Sequence, residues 1–222
     1  MHLLQAMIEN DVSLLIFSSS AAIFSPSASP IAEDHPCNPL SPYGQTKLIT
    51  EQILRDYSLA YPFRYCSLRY FNVVGGDPDG LIKNYKVKES NLVAKVLRGL
   101  KNNDRFFTVF GCDYPTDDGT CVRDYIHVWD LARAHLLALE RLLAGGNSAE
   151  YNLGNGQGFS VLKVLQTIKE TTGSSFDIIY GDRRSGDAPI SVSDPRKAES
   201  ELGWRPQYSL RDMIEDSWKA LL

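Results

Sequence analysis

SPYGQTK, Ser41 to Lys47, decides how this chain is read. Ser41 can cap a helix, and Pro42 suits the first helical position, where a missing N–H costs nothing. Tyr43 and Lys47 then share one helical face. A phenol near a helix N-terminus and beside an ammonium is favoured as phenolate. Bringing a tyrosine from its ordinary pKa of about 10 down to about 7 takes roughly 4 kcal/mol, which two positive neighbours in a closed site can supply. The pair therefore suits a general base that removes a proton from a hydroxyl. Upstream lies VSLLIF, Val12 to Phe17, a continuous apolar run of the kind found in parallel strands covered on both faces. It ends in Ser18-Ser19-Ser20, and open α/β sheets bind ligands at that end of a strand.

The rest of the chain extends this pattern. His2 to Glu9 reads as the tail of a helix. Downstream of Lys47, Leu48, Ile49, Ile53, Leu54 and Tyr57 recur at helical spacing, so that face is predicted to be core. RYCSLRY, Arg64 to Tyr70, is a strand, with Phe71 and Asn72 just beyond its end. Gly75, Gly76, Pro78 and Gly80 mark a loop, and Asn91 to Leu100 a short helix. FFTVF, Phe106 to Phe110, is a strand followed by a turn-rich loop and by VRDYIHV, Val122 to Val128. Asp130 is expected to cap a helix whose apolar stripe runs from Leu131 to Leu143. His135, on that stripe, reads as a satisfied core histidine. EYNLG and FDIIYGD are short strands, and Ser160 to Thr171 is an amphipathic helix. Asp194-Pro195 is expected to open a helix by cap and first-position proline, and Ser209 with Asp212 to open the last one. No internal repeat or flexible linker stands out. The sum is a doubly wound parallel sheet followed by a smaller mixed α/β region.

Composition narrows the function classes. The 222 residues carry a net charge of −4 with no lysine–arginine block, which argues against a nucleic-acid partner. No apolar run reaches the length of a bilayer span, so no membrane partner is expected. MHLLQAMIEND lacks the features of a signal peptide. Cys37, Cys66, Cys112 and Cys121 are scattered, which fits a reducing cytoplasm. The histidines show no metal-binding spacing.

A serine after one strand and YxxxK on the next helix form the constellation of the short-chain dehydrogenase/reductase superfamily. FSSSA, SPYGQTK, LRYFN, FGCDYPTDDGT, VRDYIHVWDLA, YNLGNG and RRSGDAP narrow the resemblance to the UDP-glucose (UDP-galactose) 4-epimerases of its extended class, almost from end to end of the chain. The resemblance implies a partial Rossmann-like domain over residues 1–75. Residues 76–222 would mainly bind UDP-sugar, with a segment near 122–145 returning to the first domain. It also implies NAD as cofactor. UDP-galactose and UDP-glucose would interconvert through a transient 4-keto sugar, hydride leaving C4 and returning to its other face with no net redox change. Tyr43 would be the base for the sugar 4-hydroxyl and Ser20 would align that hydroxyl. Lys47 would bind the nicotinamide ribose and lower the pKa of Tyr43. Ser18 and Tyr70 would face the cofactor, and Asn72 the sugar nucleotide. Asn91, Leu92, Thr108, Val109, Phe110, Arg123, Arg184 and Asp187 match the UDP-binding positions. Two arginines can clamp a diphosphate by charge-assisted bonds, Asp187 can accept a ribose hydroxyl proton, and Phe110 offers an apolar face for uracil. A homodimer through the Tyr43 helix is a further implication.

The departures are specific. Phe24-Ser25 stands where the family usually has Tyr-Gly, and the loops before Ser41 and around Lys86 to Asn91 are shorter. Ser191 occupies the position that limits sugar bulk, so the pocket is predicted to admit an N-acetyl group, adding UDP-GlcNAc and UDP-GalNAc as candidate substrates. No GxxGxxG turn follows an early strand, and NGQG, Asn155 to Gly158, comes too late to replace it. The resemblance puts that pyrophosphate-binding turn before Met1. The chain is therefore expected to match the C-terminal half to two-thirds of a family member, with weakened NAD affinity and VSLLIF as an exposed edge strand. Two alternatives stand beside the epimerase. A 4,6-dehydratase would have an Asp-Glu pair after Ser20, where this chain has Ala21-Ala22. A non-catalytic UDP-sugar binder, or the partner of a separate NAD-binding half, would leave Tyr43 idle.

Overall fold

The apolar run before Ser18 and the capped helix after Ser41 set the architecture. A computed structural model describes residues 1–83 and 91–221; the loop shortening expected at Lys86 to Ser90 falls outside them. The chain runs α1 (His2–Glu9), β1 (Leu14–Ser20), a 3-10 turn (Ala21–Ile23), α2 (Pro42–Ala60), β2 (Arg64–Tyr70), β3 (Asn72–Val74) and α3 (Leu92–Lys101). It continues through β4 (Phe106–Phe110), β5 (Val122–His127), α4 (Val128–Leu143), β6 (Ala149–Leu153), β7 (Gly158–Ser160) and α5 (Val161–Thr172). It closes with β8 (Asp177–Gly181), β9 (Ile190–Ser191), α6 (Arg196–Leu202) and α7 (Leu210–Leu221).

Three strands form a parallel sheet in the order β1-β2-β6. Helices cover both of its faces, as parallel strands require. Leu4 and Met7 of α1 and Leu54 of α2 pack with Phe63 and Tyr65 on one side. Ala134, Ala138 and Leu142 of α4 pack with Cys66, Leu68, Tyr151 and the fully buried Trp204 on the other. β1 is the edge of this sheet, as expected. Its residues Leu14 to Phe17 stay half-buried, where the apolar run predicted cover on both faces. A second group, β3-β5-β7 with β9 on β5, and a two-stranded parallel pair, β4-β8, carry the mixed region. Their core joins α3, α5 and α7 through Val93, Leu97, Phe107, Val109, Ile168 and Met213. Among the described residues no helix is long and apolar enough to cross a membrane.

Helix starts show where local signals succeed. Ser41 Oγ accepts the Gly44 N–H at 3.1 Å, with Pro42 in the first turn. Ser209 and Asp212 cap α7 reciprocally. Two other starts differ from expectation. His127 caps α4, its Nδ1 accepting the Trp129 N–H at 3.0 Å. Asp130 is instead buried in the first turn, where its carboxylate accepts the Gln207 and Tyr208 N–H groups. At α6 the cap position is Pro195, and Asp194 accepts the Arg196 N–H from one residue further out.

α2 is pressed against the turn that follows β1. A Cβ added to Gly44 would lie 2.1 Å from the Ala22 carbonyl oxygen. Gly44→Ala is therefore expected to cost about 1–3 kcal/mol, the usual range for overpacking. Thermal melting would check this; an unchanged midpoint would mean the helix can slide off the turn freely.

Candidate active site

The parallel register sets Ser20 opposite Tyr70 and Ser18 opposite Leu68. Successive side chains on a strand point to opposite faces, so Ser19 points away from Ser18 and Ser20. Ser19 is fully buried, and its hydroxyl donates to Glu51 Oε1 at 2.5 Å. Ser20 Oγ accepts the Ala22 N–H at 3.2 Å and starts the 3-10 turn. Lys47 Nζ donates to the Ser18 carbonyl at 2.8 Å and lies 5.6 Å from the centre of the Tyr43 ring. Tyr43 itself is 54% exposed at the helix start. The structure thus brings Ser18, Ser20, Tyr43, Lys47 and Tyr70 to one strand end.

His135 departs from its expected role. It is half-buried, its Nδ1 lies 2.9 Å from the Leu131 carbonyl and its Nε2 lies 3.4 Å from Ser18 Oγ. A carbonyl can only accept, so Nδ1 donates to Leu131, and a neutral ring in that tautomer accepts from the Ser18 hydroxyl at Nε2. The residue belongs to the sheet edge beside Tyr70, whose ring centre is 6.4 Å away.

Two cavities meet next to this strand end. One, of about 340 Å³, is lined by Ala21, Ala22, Phe24, Ser41 and Ser191, close in sequence to Ser20 and Tyr43. The other, of about 210 Å³, is lined by Asn72, Asn91, Leu92, Lys95, Thr108, Val109, Phe110 and Arg184. Arg123 and Asp187 line both. The UDP-binding positions implied by the sequence therefore converge on one cavity, and Ser191 faces its neighbour.

Several of these side chains are engaged differently from expectation. Arg123 donates to the Ala188 carbonyl at 2.7 Å and its Nη2 lies 3.4 Å from Asp187 Oδ1, so the clamp arginine and the ribose acceptor pair with each other. Arg184 lies over Phe110, 3.9 Å from the ring centre, so a guanidinium covers one face of the ring expected to be apolar. Asn91 caps α3 through Oδ1, and its Nδ2 lies 3.5 Å from the Val73 carbonyl. What it brings to the cavity is the start of a helix. Asn72 Nδ2 donates to the Asp124 carbonyl at 2.8 Å, and its side-chain oxygen has no hydrogen-bond partner among the described residues. Val109 is buried in the core, so its contribution comes from the backbone of β4.

Asp124 is the residue that sequence reasoning missed. Its fully buried carboxylate accepts the N–H groups of Asn155, Gly156 and Ser193 and the Ser193 hydroxyl. Burial pushes its carboxyl up from the ordinary range, and the Ser193, Asn155 and Gly156 bonds oppose that. The cluster ties the YNLGNG turn and the segment after β9 to β5, holding Ser191 beside Arg123 in register. Its one sequence signal is its position directly after Arg123.

Comparison with known proteins agrees with this geometry. The family model described as NAD dependent epimerase/dehydratase family matches residues 1–154. The UDP-glucose 4-epimerase of Halalkalibacterium halodurans is 44% identical over 218 residues, covering 97% of this chain and 65% of the relative. The crystal structure of UDP-glucose 4-epimerase from Brucella ovis in complex with NAD matches with a TM-score of 0.92 and 42% identity, over 97% of this chain and 67% of that one. The UDP-Glc/GlcNAc 4-epimerase of Campylobacter jejuni matches with a TM-score of 0.80 and 36% identity, over 98% and 67%. The chain thus spans about 65% of the length of the first curated relative it matches. With the strand-end serines, the Tyr43/Lys47 helix and the paired cavities on one frame, the chain belongs to the NAD dependent epimerase/dehydratase family.

Proposed function

We propose that the chain carries the catalytic and sugar-nucleotide half of a UDP-glucose 4-epimerase, interconverting UDP-galactose and UDP-glucose. The observation that carries this reading is the junction of the two cavities at Arg123 and Asp187. A nucleotide sugar has a diphosphate between a base and a hexose, and the junction offers the Arg123 guanidinium between two compartments, with Arg184 in the smaller one. The larger compartment is lined by Ala21, Ala22 and Ser41, the sequence neighbours of Ser20 and Tyr43. In the smaller one, β4 pairs only with β8 among the described residues. Its open edge offers main-chain donors and acceptors to uracil. Asp187 is suited to a ribose hydroxyl once Arg123 turns to phosphate.

The strand end also fits the nicotinamide ribose of NAD. Ser18, Ser20 and Tyr70 are only half-buried, and Lys47 is already aimed at the Ser18 carbonyl. Lys47, Tyr43, Ser18 and Tyr70 would hold that end of the cofactor. A bound NAD would supply the hydride exchange at sugar C4. The chain's own part is proton handling: Tyr43 Oη removes the 4-hydroxyl proton and returns it, and Ser20 Oγ aligns that hydroxyl. The cluster around Asp124 keeps the hexose compartment in shape.

An assay of UDP-galactose conversion with added NAD, beside calorimetry with UDP, tests this reading. Conversion supports it. UDP binding without conversion supports the narrower alternative of a UDP-sugar binder. Neither would sink the assignment of the cavities.

Ser191 favours a broader substrate range. It lines the hexose compartment with a small side chain, and one matched structure is named a UDP-Glc/GlcNAc 4-epimerase. UDP-GlcNAc and UDP-GalNAc are therefore expected to be used as well. Ser191→Tyr should lower turnover of UDP-GlcNAc by at least about tenfold while UDP-glucose is retained. Equal losses on both substrates in parallel assays would remove Ser191 as the selector.

A further inference from the structure

The smaller cavity carries more positive charge than its expected residues account for. Arg123, Arg184 and Lys95 line it against the single carboxylate of Asp187, a net charge of +2. Arg123 is paired with Asp187 and Arg184 rests on Phe110. Lys95 is exposed and has no carboxylate partner among the described residues. It also sits where a cation is electrostatically out of place. Asn91 caps α3, and Lys95 is one turn on, at the end of the helix that already carries positive partial charge. No acidic residue occupies that first turn. An ammonium with no carboxylate partner among the described residues, a helix start and two guanidiniums around one cavity call for a polyanion.

We infer that Lys95 is a further substrate-binding residue whose ammonium binds the diphosphate of a uridine nucleotide, completing a three-cation grip with Arg123 and Arg184. This rests on the reading of the cavities as a UDP-sugar site. A diphosphate is the anion that fits: its spread charge can meet Lys95 and Arg184 together while Arg123 exchanges Asp187 for phosphate. Lysine meets phosphate as a point charge rather than a fork, so arginine is an acceptable replacement and a neutral side chain is not.

Calorimetry on the full chain with UDP, UMP and uridine tests the inference. Lys95→Met keeps the aliphatic stem and removes the charge. It is expected to weaken UDP about tenfold, UMP less, and uridine not at all. Lys95→Arg should restore UDP binding. Added salt should weaken UDP binding more in the unaltered chain than in Lys95→Met. Unchanged UDP affinity in Lys95→Met overturns the inference and leaves the cavity assignment standing. Equal losses for UDP and uridine overturn it too, because the lysine would then serve the nucleoside. Failure of the unaltered chain to bind any of the three overturns the cavity assignment, and the inference with it.

Discussion

Replacing Tyr43 by phenylalanine is expected to lower interconversion of UDP-galactose and UDP-glucose by about 10²–10⁴-fold, the range for losing a general base. The same variant should bind UDP within about twofold of the unaltered chain, as a substitution away from the contact does. The two expectations separate because of where Tyr43 stands. It is at the helix start, 54% exposed, and absent from the lining of the nucleotide cavity. Removing its hydroxyl leaves no buried group unpaired, so the fold is expected to be unaffected. Lys47 keeps its bond to the Ser18 carbonyl. The measurement is turnover with added NAD, beside calorimetry with UDP. Turnover retained in Tyr43→Phe would mean that another group takes the proton. Equal loss of turnover and UDP affinity would mean that the phenol acts in binding.

The parts of the fold that were legible in the sequence are those fixed by local chemistry. The apolar run before Ser18 and the Ser41-Pro42 start gave β1 and α2 because caps and periodicity act within a few residues. Ser20 could be placed at a strand end before any register was known, whereas Tyr70 entered the site only through the family resemblance and the register sets the two opposite each other. β3, β7 and β9 could not be read. They span two or three residues, too few to show alternation, and exist because β5 offers them edges. His127 takes the capping role expected of Asp130 because the donors to the buried Asp130 carboxylate, the amides of Gln207 and Tyr208, are more than seventy residues away. The candidate site shows the same division. Tyr43, Lys47 and Ser20 announce themselves by spacing. Asp124 does not, since its partners come from distant turns. Nor does the Arg123–Asp187 pair, since charge neutralisation in the free site is a property of the folded cavity.

Single substitutions at Glu51 or Arg69 are expected to destabilise the protein by about 3–5 kcal/mol, because each strands a buried charge. The two side chains are 1% and 4% exposed and meet at 2.6 Å. Arg69 Nε and Nη2 both donate to the Glu51 carboxylate, the Ser19 hydroxyl adds a further bond, and Arg69 Nη1 reaches the Glu33 carbonyl. The guanidinium also lies over the Phe24 ring, 5.3 Å from its centre. For a chain of this length, a loss of that size lowers the melting temperature by roughly 10–15 °C. The double variant Glu51→Leu/Arg69→Met should behave differently. It removes both charges and fills the space with apolar atoms, a replacement that is often neutral or stabilising. A double-mutant cycle by thermal or urea unfolding measures the difference as a coupling energy. Near-additive single and double effects would show that the pair is not coupled as its geometry indicates. The location of the pair gives the result a functional edge. Glu51 is two turns along the helix from Tyr43, Ser19 precedes Ser20, and Phe24 lines the hexose compartment. A double variant that melts normally but turns over slowly would assign the ion pair to alignment of the base, the strand end and the sugar-facing loop. One that melts and turns over normally would assign it to stability alone.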